Sequence, residues 1–460
     1  MSKIGDWFQE RLEIRLILSR FLDRRLPQGT GWWQTFGSAT LFLILVQTAT
    51  GFFLAFYYVA SPEHAYHSIK YIDQIPFGAF IRGLHHWGAS LVIVMAFLHL
   101  LRVFFMGAYK YPREASWVVG VLLLIIIMAF GFTGYLLPWD QKGYWATVVG
   151  THVAEYSPLI GSYVRRVLIG GIDVGARTIG RFYASHVLIL PAVLYTLIGI
   201  HLFMVIKQGI APAPIEKLAV IRREDYKKLY EESKEKGETF FDHLFRDSVV
   251  IFILFLILVF MSLRLGAPVD EPADPTSTGY VPRPEWYFYF LFKLLWYFPG
   301  RSIPIATFYI PAAIILILLF LPFFDRTPGR SPIKRPIASM LATLGIAGIA
   351  FLTYKGFTAP KPAGVAPTIT TREERTLPPE VVQGRKVYEE QGCSACHMIN
   401  KIGGDAGPDL TNIGARRDIE WLKKFVRDPE AIKPGSPMPA YKELSEGELD
   451  SLLRYLETLK

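Results

Sequence analysis

The segment from Arg82 to Phe105, RGLHHWGASLVIVMAFLHLLRVFF, constrains the fold more strongly than any other part of the chain. It carries no charged side chain between Gly83 and Leu101, which predicts a membrane-spanning helix. It nevertheless contains three histidines, and an ionisable side chain at membrane depth is costly unless it serves a function. Such histidines either hydrogen-bond to neighbouring helices or bind a cofactor, and this segment alone leaves both readings open.

The spacing of these histidines indicates a cofactor at two depths. His85 and His99 lie 14 residues apart, so they share a helix face and are separated by about 21 Å along the axis. Each is three residues from an arginine, Arg82 or Arg102. Imidazoles coordinate iron and guanidiniums bind carboxylates, which predicts two haems with the arginines as propionate partners. His86 lies about 100° further round the helix and is interpreted as a packing or hydrogen-bonding residue.

The composition places the chain among polytopic membrane proteins. Hydrophobic side chains make up 51% of the 460 residues and charged side chains only 19%. We expect an all-α membrane helix bundle of about seven transmembrane helices, followed by a small α-helical domain. The expected spans are residues 36–59, 82–105, 117–137, 182–206, 248–263 (a short one), 302–324 and 336–353. The aromatic run after residue 285 is suited to the membrane interface rather than to a full crossing.

Loop charges predict the orientation. Lys and Arg are abundant in the N-terminal segment, the 106–116 turn, the 207–247 connector and the 325–336 turn, which lie on one side. By the positive-inside rule this side is cytoplasmic, so the C-terminal segment is extracytoplasmic at a cell membrane. The net charge of +9 does not indicate nucleic acid, because residues 360–460 carry 15 basic and 16 acidic side chains. Residues 1–30 resemble an amphipathic surface helix rather than a cleaved signal.

The fourth span repeats the unusual feature of the second. It contains His186 and His201, 15 residues apart, and it crosses the membrane in the same direction. His85 should therefore be level with His186 near the outer face, and His99 with His201 near the inner face. Two imidazoles at each level are what a six-coordinate, electron-transferring b haem requires. Hydrogen-bonded core histidines are the structural alternative, but they do not account for four matching depths.

Glycines in the neighbouring spans follow the same axial step. Gly37 and Gly51 in the first span, and Gly120 and Gly134 in the third, are each 14 residues apart. A residue without Cβ allows a flat ligand to lie against the backbone, so these four are candidate haem contacts. Glycine is also common in ordinary membrane helices, which is the alternative.

The C-terminal segment carries the attachment pattern of a c-type haem. Cys393 and Cys396 with His397 form C-x-x-C-H, in which both thiols bond the porphyrin and the histidine is an axial ligand. The sixth ligand should be Met438 in GSPMPAY, because Met398 adjoins His397 and cannot reach across the ring. A redox or zinc C-x-x-C is the alternative, but zinc requires four ligands and too few are present.

One loop on the outer side is a candidate for substrate chemistry. Pro284, Glu285, Trp286 and Tyr287 place a carboxylate among aromatic rings beside the bilayer. Such a carboxylate could accept a proton from a hydroxyl on an apolar ring. The alternative is an interfacial glutamate within an ordinary aromatic belt.

Together these motifs identify a family resemblance. From about residue 10 to residue 357 the chain resembles cytochrome b of the quinol-oxidising cytochrome bc and bf complexes, and it continues as a class I c-type cytochrome domain. The resemblance rests on four motifs in family order: RGLHHW…HLLR, GFTGYLLPWDQKGYW, GRFYASH…HLFMVIKQG and PEWY. It implies a surface helix (1–30), a di-haem core (31–210), a three-helix part (211–357), a Pro-rich tether (358–380) and the c-type domain (381–460).

The resemblance implies the activity of a quinol–cytochrome c reductase, a proton-translocating oxidoreductase. Quinol would dock between the end of the third span (residues 134–145, including Trp139), the following loop helices and the Pro284–Tyr287 motif. One electron would pass to a separate Rieske iron–sulfur protein and then to the c haem. The other would cross through two b haems to an inner quinone site. The chain would act in membrane lipid as part of a homodimeric complex that delivers electrons to a soluble or membrane-bound acceptor.

Residue roles follow from the same resemblance. Glu285 is similar to the family's proton-accepting glutamate, with Tyr287 beside it, and Arg181 joins the haem contacts. The inner quinone site would include Lys207, Arg246 and Asp247, although the surrounding loop differs in length from that of relatives. In chloroplast-type proteins a cysteine at the start of the first span anchors an extra haem. Thr35 stands there in this chain, so a covalent third haem in the membrane is not expected.

Two other classes of protein remain as alternatives. A di-haem b anchor of a hydrogenase or formate dehydrogenase would bind haem without bifurcating electrons, but such anchors lack the PEWY motif and a fused c domain. A channel or transporter with incidental histidines would not carry C-x-x-C-H.

Overall fold

The computed structural model describes residues 3–13, 19, 22–171, 173–275, 277, 280, 283–298, 302–359, 378–400, 402–403, 407–436 and 438–460. Most of the expected Pro-rich tether (358–380) lies outside these residues, as do parts of the expected N-terminal surface helix.

The described residues form an almost entirely helical structure, as predicted. Within them, seven helices are long and apolar enough to cross a membrane: α2, α4, α5, α8, α10, α12 and α13. In chain order the helices are α1 (Lys3–Leu12), α2 (Phe36–Ala55), α3 (Ala65–Gln74), α4 (Gly78–Phe105), α5 (Glu114–Tyr135), α6 (Gln141–Glu155), α7 (Gly161–Ile169), α8 (Ala176–Gln208), α9 (Tyr226–Glu235), α10 (Phe240–Leu265), α11 (Tyr289–Trp296), α12 (Ile305–Phe324), α13 (Pro336–Phe357), α14 (Pro379–Glu390), α15 (Ile413–Arg416), α16 (Ile419–Arg427), α17 (Pro429–Ile432) and α18 (Glu446–Thr458). Strands β1 (Met398–Ile399) and β2 (Ile402–Gly403) pair antiparallel.

The fifth span is longer than its apolar run, so the expectation of a short helix over residues 248–263 is wrong. Helix α10 has 26 residues because a capping box starts it before the apolar segment. The Thr239 hydroxyl accepts a hydrogen bond from the Asp242 amide at 3.3 Å, and the Asp242 carboxylate accepts one from the Thr239 amide at 3.0 Å. The cap satisfies backbone amides at the start of α10 that would otherwise lack hydrogen-bond partners. The helix can therefore begin in the charged residues that precede the apolar run.

The chain divides into two compact units. The first comprises residues 1–138, 178–269 and 312–347, and the second comprises residues 139–177, 270–311 and 348–460. In the first unit, α2 packs against α4, α5 packs against α8, and α10 packs against α4. Polar contacts secure the last of these pairs: Ser262 donates to the Phe80 carbonyl at 2.7 Å, and the Trp87 indole donates to the Gly266 carbonyl at 2.6 Å.

A buried ionic cluster joins the α4–α5 turn to the α12–α13 turn. The Lys110 ammonium donates to the Asp325 carboxylate at 2.7 Å, and Tyr109 donates to the same carboxylate. The Arg335 guanidinium donates to the carbonyls of Phe104 and Phe105 and thereby caps the C-terminus of α4. These buried charges have partners, as burial requires, and they tie the first five spans to the last two.

The second unit contains the C-terminal domain. Helices α14 and α18 pack against each other around Val387, Leu449 and Leu453, which are almost fully buried. Ser445 and Glu448 form the predicted capping box at the start of α18, and the structure confirms it. Helix α11, in the aromatic run, has eight residues and is too short to cross a bilayer.

Candidate cofactor and substrate sites

The first histidine pair is His85 on α4 and His186 on α8. Their ring centroids lie 6.4 Å apart, with the ring planes at 70° to each other. Because a bond from an imidazole nitrogen to a metal ion is about 2 Å, one metal atom fits between the two rings. His186 lies in a π-helical turn, Ser185–Ile189, a feature that often marks functional sites.

Two threonines fix the protonation of this pair. The Thr50 hydroxyl lies 3.0 Å from Nδ1 of His85, and the Thr133 hydroxyl lies 3.0 Å from Nδ1 of His186. Each hydroxyl donates its own hydrogen to a helix carbonyl one turn earlier, so it accepts a hydrogen bond from Nδ1–H. Nε2 of each ring therefore carries the lone pair that a metal ligand needs. The spacing of the histidines did not point to either threonine, although Thr50 precedes Gly51 and Thr133 precedes Gly134.

The second pair is His99 on α4 and His201 on α8. They lie 14 and 15 residues after His85 and His186 on the same two helices. Cε1 of His99 faces Gly37 on α2, and Cε1 of His201 faces Gly120 on α5. Nδ1 of each ring is buried and finds no hydrogen-bond partner among the described residues. A buried polar atom without a partner is costly, and it marks a place where a further group belongs.

The four predicted glycines face the imidazoles. A Cβ added to Gly37 would lie 3.1 Å from Cε1 of His99, and one added to Gly51 would lie 3.1 Å from Cε1 of His85. The corresponding distances are 3.6 Å from Gly120 to His201 and 2.7 Å from Gly134 to His186. The side of each glycine that was expected to face a flat ligand is thus occupied by an imidazole. The glycines provide room for the ligating rings.

The two arginines of α4 have different surroundings. Arg82 donates to both carboxylate oxygens of Asp73, at 2.6 and 2.7 Å, and to the Ala267 carbonyl at 2.6 Å. In contrast, Nε and Nη2 of Arg102 are buried and have no hydrogen-bond partner within the described part of the chain. A buried guanidinium in this state needs an anion. Arg181, near the start of α8, is exposed.

These features fit two haems in the first unit. Each pair supplies two imidazoles from facing helices, the first pair has Nε2 available on both rings, and the unpartnered Arg102 guanidinium beside the second pair suits a propionate. The residues present therefore match the chemistry of bis-imidazole ligation. Near the first pair, Arg82 is already bound to Asp73.

The C-terminal domain fits a covalently attached haem. Nδ1 of His397 lies 2.9 Å from the Pro408 carbonyl, so Nδ1–H donates to it and Nε2 is available for iron. Cys393 and Cys396 follow the end of α14, and Cys393 and Tyr441 pack against the same hydrophobic core. Tyr441 lies three residues after Met438, which packs against the same hydrophobic core as Cys393. The methionine loop and the cysteine motif therefore share one side of that core.

The predicted proton acceptor forms an ion pair. In the second unit, the Glu285 carboxylate accepts a hydrogen bond from the Lys142 ammonium at 2.5 Å. Lys142 is the second residue of α6, and sequence reasoning did not single it out although it lies within the LPWDQKGYW motif. Tyr287 is buried, and burial, followed by the nearby Glu285 charge, raises the pKa of its hydroxyl. Pro284 is also buried, whereas Trp286 is partly exposed.

Backbone contacts hold this loop against the start of α6. The Gln141 amide donates to the Glu271 carbonyl at 2.8 Å, and the Ala273 amide donates to the Trp139 carbonyl at 3.1 Å. Trp139 is buried and has a left-handed backbone with φ +52°, an arrangement that a bulky residue adopts only when its surroundings enforce it.

The three residues predicted for the inner quinone site do not all lie together. Asp247 and Arg246 are on α10, close to His243, whereas Lys207 is at the end of α8. Asp247 accepts a hydrogen bond from the Ser38 hydroxyl at 2.6 Å and lies 3.7 Å from the His243 imidazole. Arg246 is paired with Glu238, which lies 3.8 Å from the same imidazole. Lys207 is exposed, and its ammonium lies over the Phe203 ring. The sequence did not indicate the buried His243, which lies one helical turn before Asp247 on α10 and could have been found by that spacing.

Comparisons with known proteins give matches over most of the chain. The chain matches three family models: Cytochrome b/b6/petB over residues 21–209, Cytochrome b(C-terminal)/b6/petD over residues 272–371 and Cytochrome c over residues 381–460. It is 47% identical over 220 residues to the menaquinol:cytochrome c reductase cytochrome b subunit of Bacillus subtilis (strain 168), covering 46% of this chain and 98% of that protein. It is 46% identical over 212 residues to cytochrome b6 of Cyanidium caldarium, covering 46% and 99%. A solved structure described as a hyperthermophilic respiratory Complex III matches with a TM-score of 0.68 and 28% identity, covering 78% of this chain and 92% of that one.

Proposed function

Since the chain belongs to the family of cytochromes b of quinol:cytochrome c reductase and b6f-type complexes, and carries a cytochrome c domain, we propose that it is the subunit in which quinol oxidation and electron bifurcation take place. Quinol is oxidised on the extracytoplasmic side, one electron goes to a Rieske protein, and the other reduces quinone on the cytoplasmic side. The protons released and taken up on opposite sides account for proton translocation. The cytochrome c domain stands in for a separate c-type subunit and passes electrons to an external acceptor, in a homodimeric complex.

Two histidine pairs at two levels of one helix set are the observation that carries this proposal. His85 with His186, and His99 with His201, would each hold one non-covalent b haem, and His397 with Met438 would hold the haem bonded to both cysteines. Haems held by these residues would supply one-electron carriers. Arg82 and Arg102 would bind propionates, and Arg102 has the free donors that this requires.

Glu285 would accept the quinol proton. The O–H bond of the quinol breaks, the new O–H bond forms on the carboxylate, and the buried Tyr287 beside it keeps water from one side of the site. Trp139, Pro284 and Trp286 would form the apolar surroundings of the quinol ring. On the cytoplasmic side, the Ser38, His243 and Asp247 group would deliver protons to the quinone. Arg246, which precedes Asp247, and Lys207 would be further residues of this site.

A pyridine haemochrome assay on the purified protein tests the cofactor content. We expect b and c haems in a ratio of two to one. The absence of b haem would refute the proposal.

The substitution Glu285→Gln tests the quinol site. We expect quinol oxidation to slow by about 10²- to 10⁴-fold, the range for loss of a general base, with unchanged haem spectra. Glu271→Gln, in an exposed side chain of the same loop, is the matched control and should leave the rate unchanged. Loss of haem in the Glu285 variant would instead assign this residue a structural role.

A further inference from the structure

Lys142 is a charged residue of the second unit that the proposed function does not use. Its ammonium lies 2.5 Å from the Glu285 carboxylate, and the two side chains are 34% and 19% exposed. The pair joins segments that are 143 residues apart in the chain. Partial burial of both partners distinguishes it from a fully solvated surface pair, which contributes little.

The location of Lys142 is unfavourable without a partner. It occupies the first turn of α6, where the helix dipole is positive and a cation is disfavoured. The turn is stabilised by Asp140, whose carboxylate accepts hydrogen bonds from the amides of Gly143 at 2.8 Å and Asp270 at 3.0 Å. Asp140 is therefore engaged by backbone amides, and Lys142 contacts the Glu285 carboxylate. A residue that violates a local preference in this way commonly serves a site.

The surroundings make the pair a fixed feature. Residues 139–141 are bonded through the backbone to residues 271–273, on the segment that leads to Pro284. The buried Tyr287 lies two residues after Glu285 and anchors the other end of the motif. Both ends of the loop are therefore secured beside the Lys142–Glu285 ion pair.

We propose that Lys142 is a positioning residue for Glu285 in quinol oxidation, an inference that rests on the proposed function. It holds the ionised carboxylate at the start of α6 in the orientation that accepts a proton. In that orientation the O–H bond of the quinol breaks and the new O–H bond forms on the Glu285 carboxylate.

A double-mutant cycle of Lys142 and Glu285 tests this inference in the complete complex. Lys142→Met removes the charge while keeping the apolar stem, and we expect quinol-dependent reduction of cytochrome c to fall by about five- to tenfold, the effect of one charged hydrogen bond discounted for exposure. Lys142→Arg should restore most of the rate. In the Glu285→Gln background, Lys142→Met should change the rate by less than about twofold, because the partner through which it acts is gone. The b-haem spectra should remain unchanged in all variants.

Lys70→Met, on the exposed face of α3, is the control for loss of a positive charge and should have the parental rate. The inference is overturned if Lys142→Met is fully active, if its effect persists in the Glu285→Gln background, or if Lys142→Arg is as slow as Lys142→Met. In each of these cases a slow Glu285→Gln variant would leave the proposed function standing. A fully active Glu285→Gln variant would refute both.

Discussion

The contact between Gly134 and His186 leads to a sharp test of haem ligation. A Cβ at position 134 would lie 2.7 Å from Cε1 of His186 and 3.3 Å from each ring nitrogen. Since ordinary contacts begin near 3.4 Å, the imidazole would have to move by about 0.7 Å. The ring cannot do so freely, because its Nδ1 is bonded to Thr133 on the same helix as the glycine. Gly134→Ala therefore displaces His186, which we propose as a haem ligand.

The size of the effect follows from the cost of overpacking. Inserting one methyl group into a packed site costs about 1–3 kcal/mol, which corresponds to about 5- to 150-fold weaker haem binding. Gly120→Ala is the matched control, because its Cβ would lie 3.6 Å from Cε1 of His201, an ordinary contact. Both substitutions raise helix propensity by about 1 kcal/mol, so only the clash distinguishes them.

The assay uses the covalent c haem of the same chain as an internal standard. In the pyridine haemochrome of purified Gly134→Ala protein we expect the ratio of b to c haem to fall from two towards one. The Gly120→Ala protein should keep a ratio of two. Two b haems with unaltered spectra in Gly134→Ala, or equal losses in the two variants, would show that the glycines do not act through the imidazoles.

Three further predictions follow from buried charges and from the c-type domain. Arg102→Met should lower the midpoint potential of the b haem that we assign to His99, because removing a cation disfavours the reduced state. A redox titration that shows no shift would exclude Arg102 as a propionate partner. Asp325→Asn leaves Lys110 buried without a counter-charge and should cost about 3 kcal/mol, seen as a lower Tm that the double substitution with Lys110→Met partly restores. Burial opposes ionisation of Asp325, but hydrogen bonds, led by that from Lys110, outweigh this effect and lower the pKa of Asp325 to about 2. The stabilisation from the ionised carboxylate is therefore complete above about pH 4 and is lost as the pH falls towards 2. Melting curves at several pH values would show this loss. Met438→Ala should lower the potential of the c haem and leave the b haem content unchanged; an unchanged potential would assign the sixth ligand elsewhere.

Local patterns were sufficient to predict the architecture. Apolar runs of suitable length located seven spans, and the structure has seven candidate spans within its described residues. The error at the fifth span arose from hydropathy alone, since the apolar run begins after two charged turns that a Thr239 cap makes helical. The capping box at Ser445 was recognisable because its two residues are three apart and act within one turn.

The candidate ligands were also accessible from the sequence, since helix geometry converts spacing into position. Fourteen or fifteen residues correspond to about four turns, so His85, His99, His186 and His201 could be assigned to two levels before any packing was known. The expectation that a flat ligand lies against the four glycines stays a prediction, and only packing shows that imidazoles also lie beside them.

The sequence by itself determined the elements of this protein: its spans, the depth of its histidines and the attachment motif of its c-type domain. Each of these depends on residues a few turns apart, whose relation is set by covalent geometry and by the membrane as solvent. Only the tertiary structure decided which side chains meet. Thr133 orients His186, Asp73 engages Arg82, and Lys142 holds Glu285. Those pairs join different helices or loops, and no local periodicity encodes a contact between segments that only folding brings together.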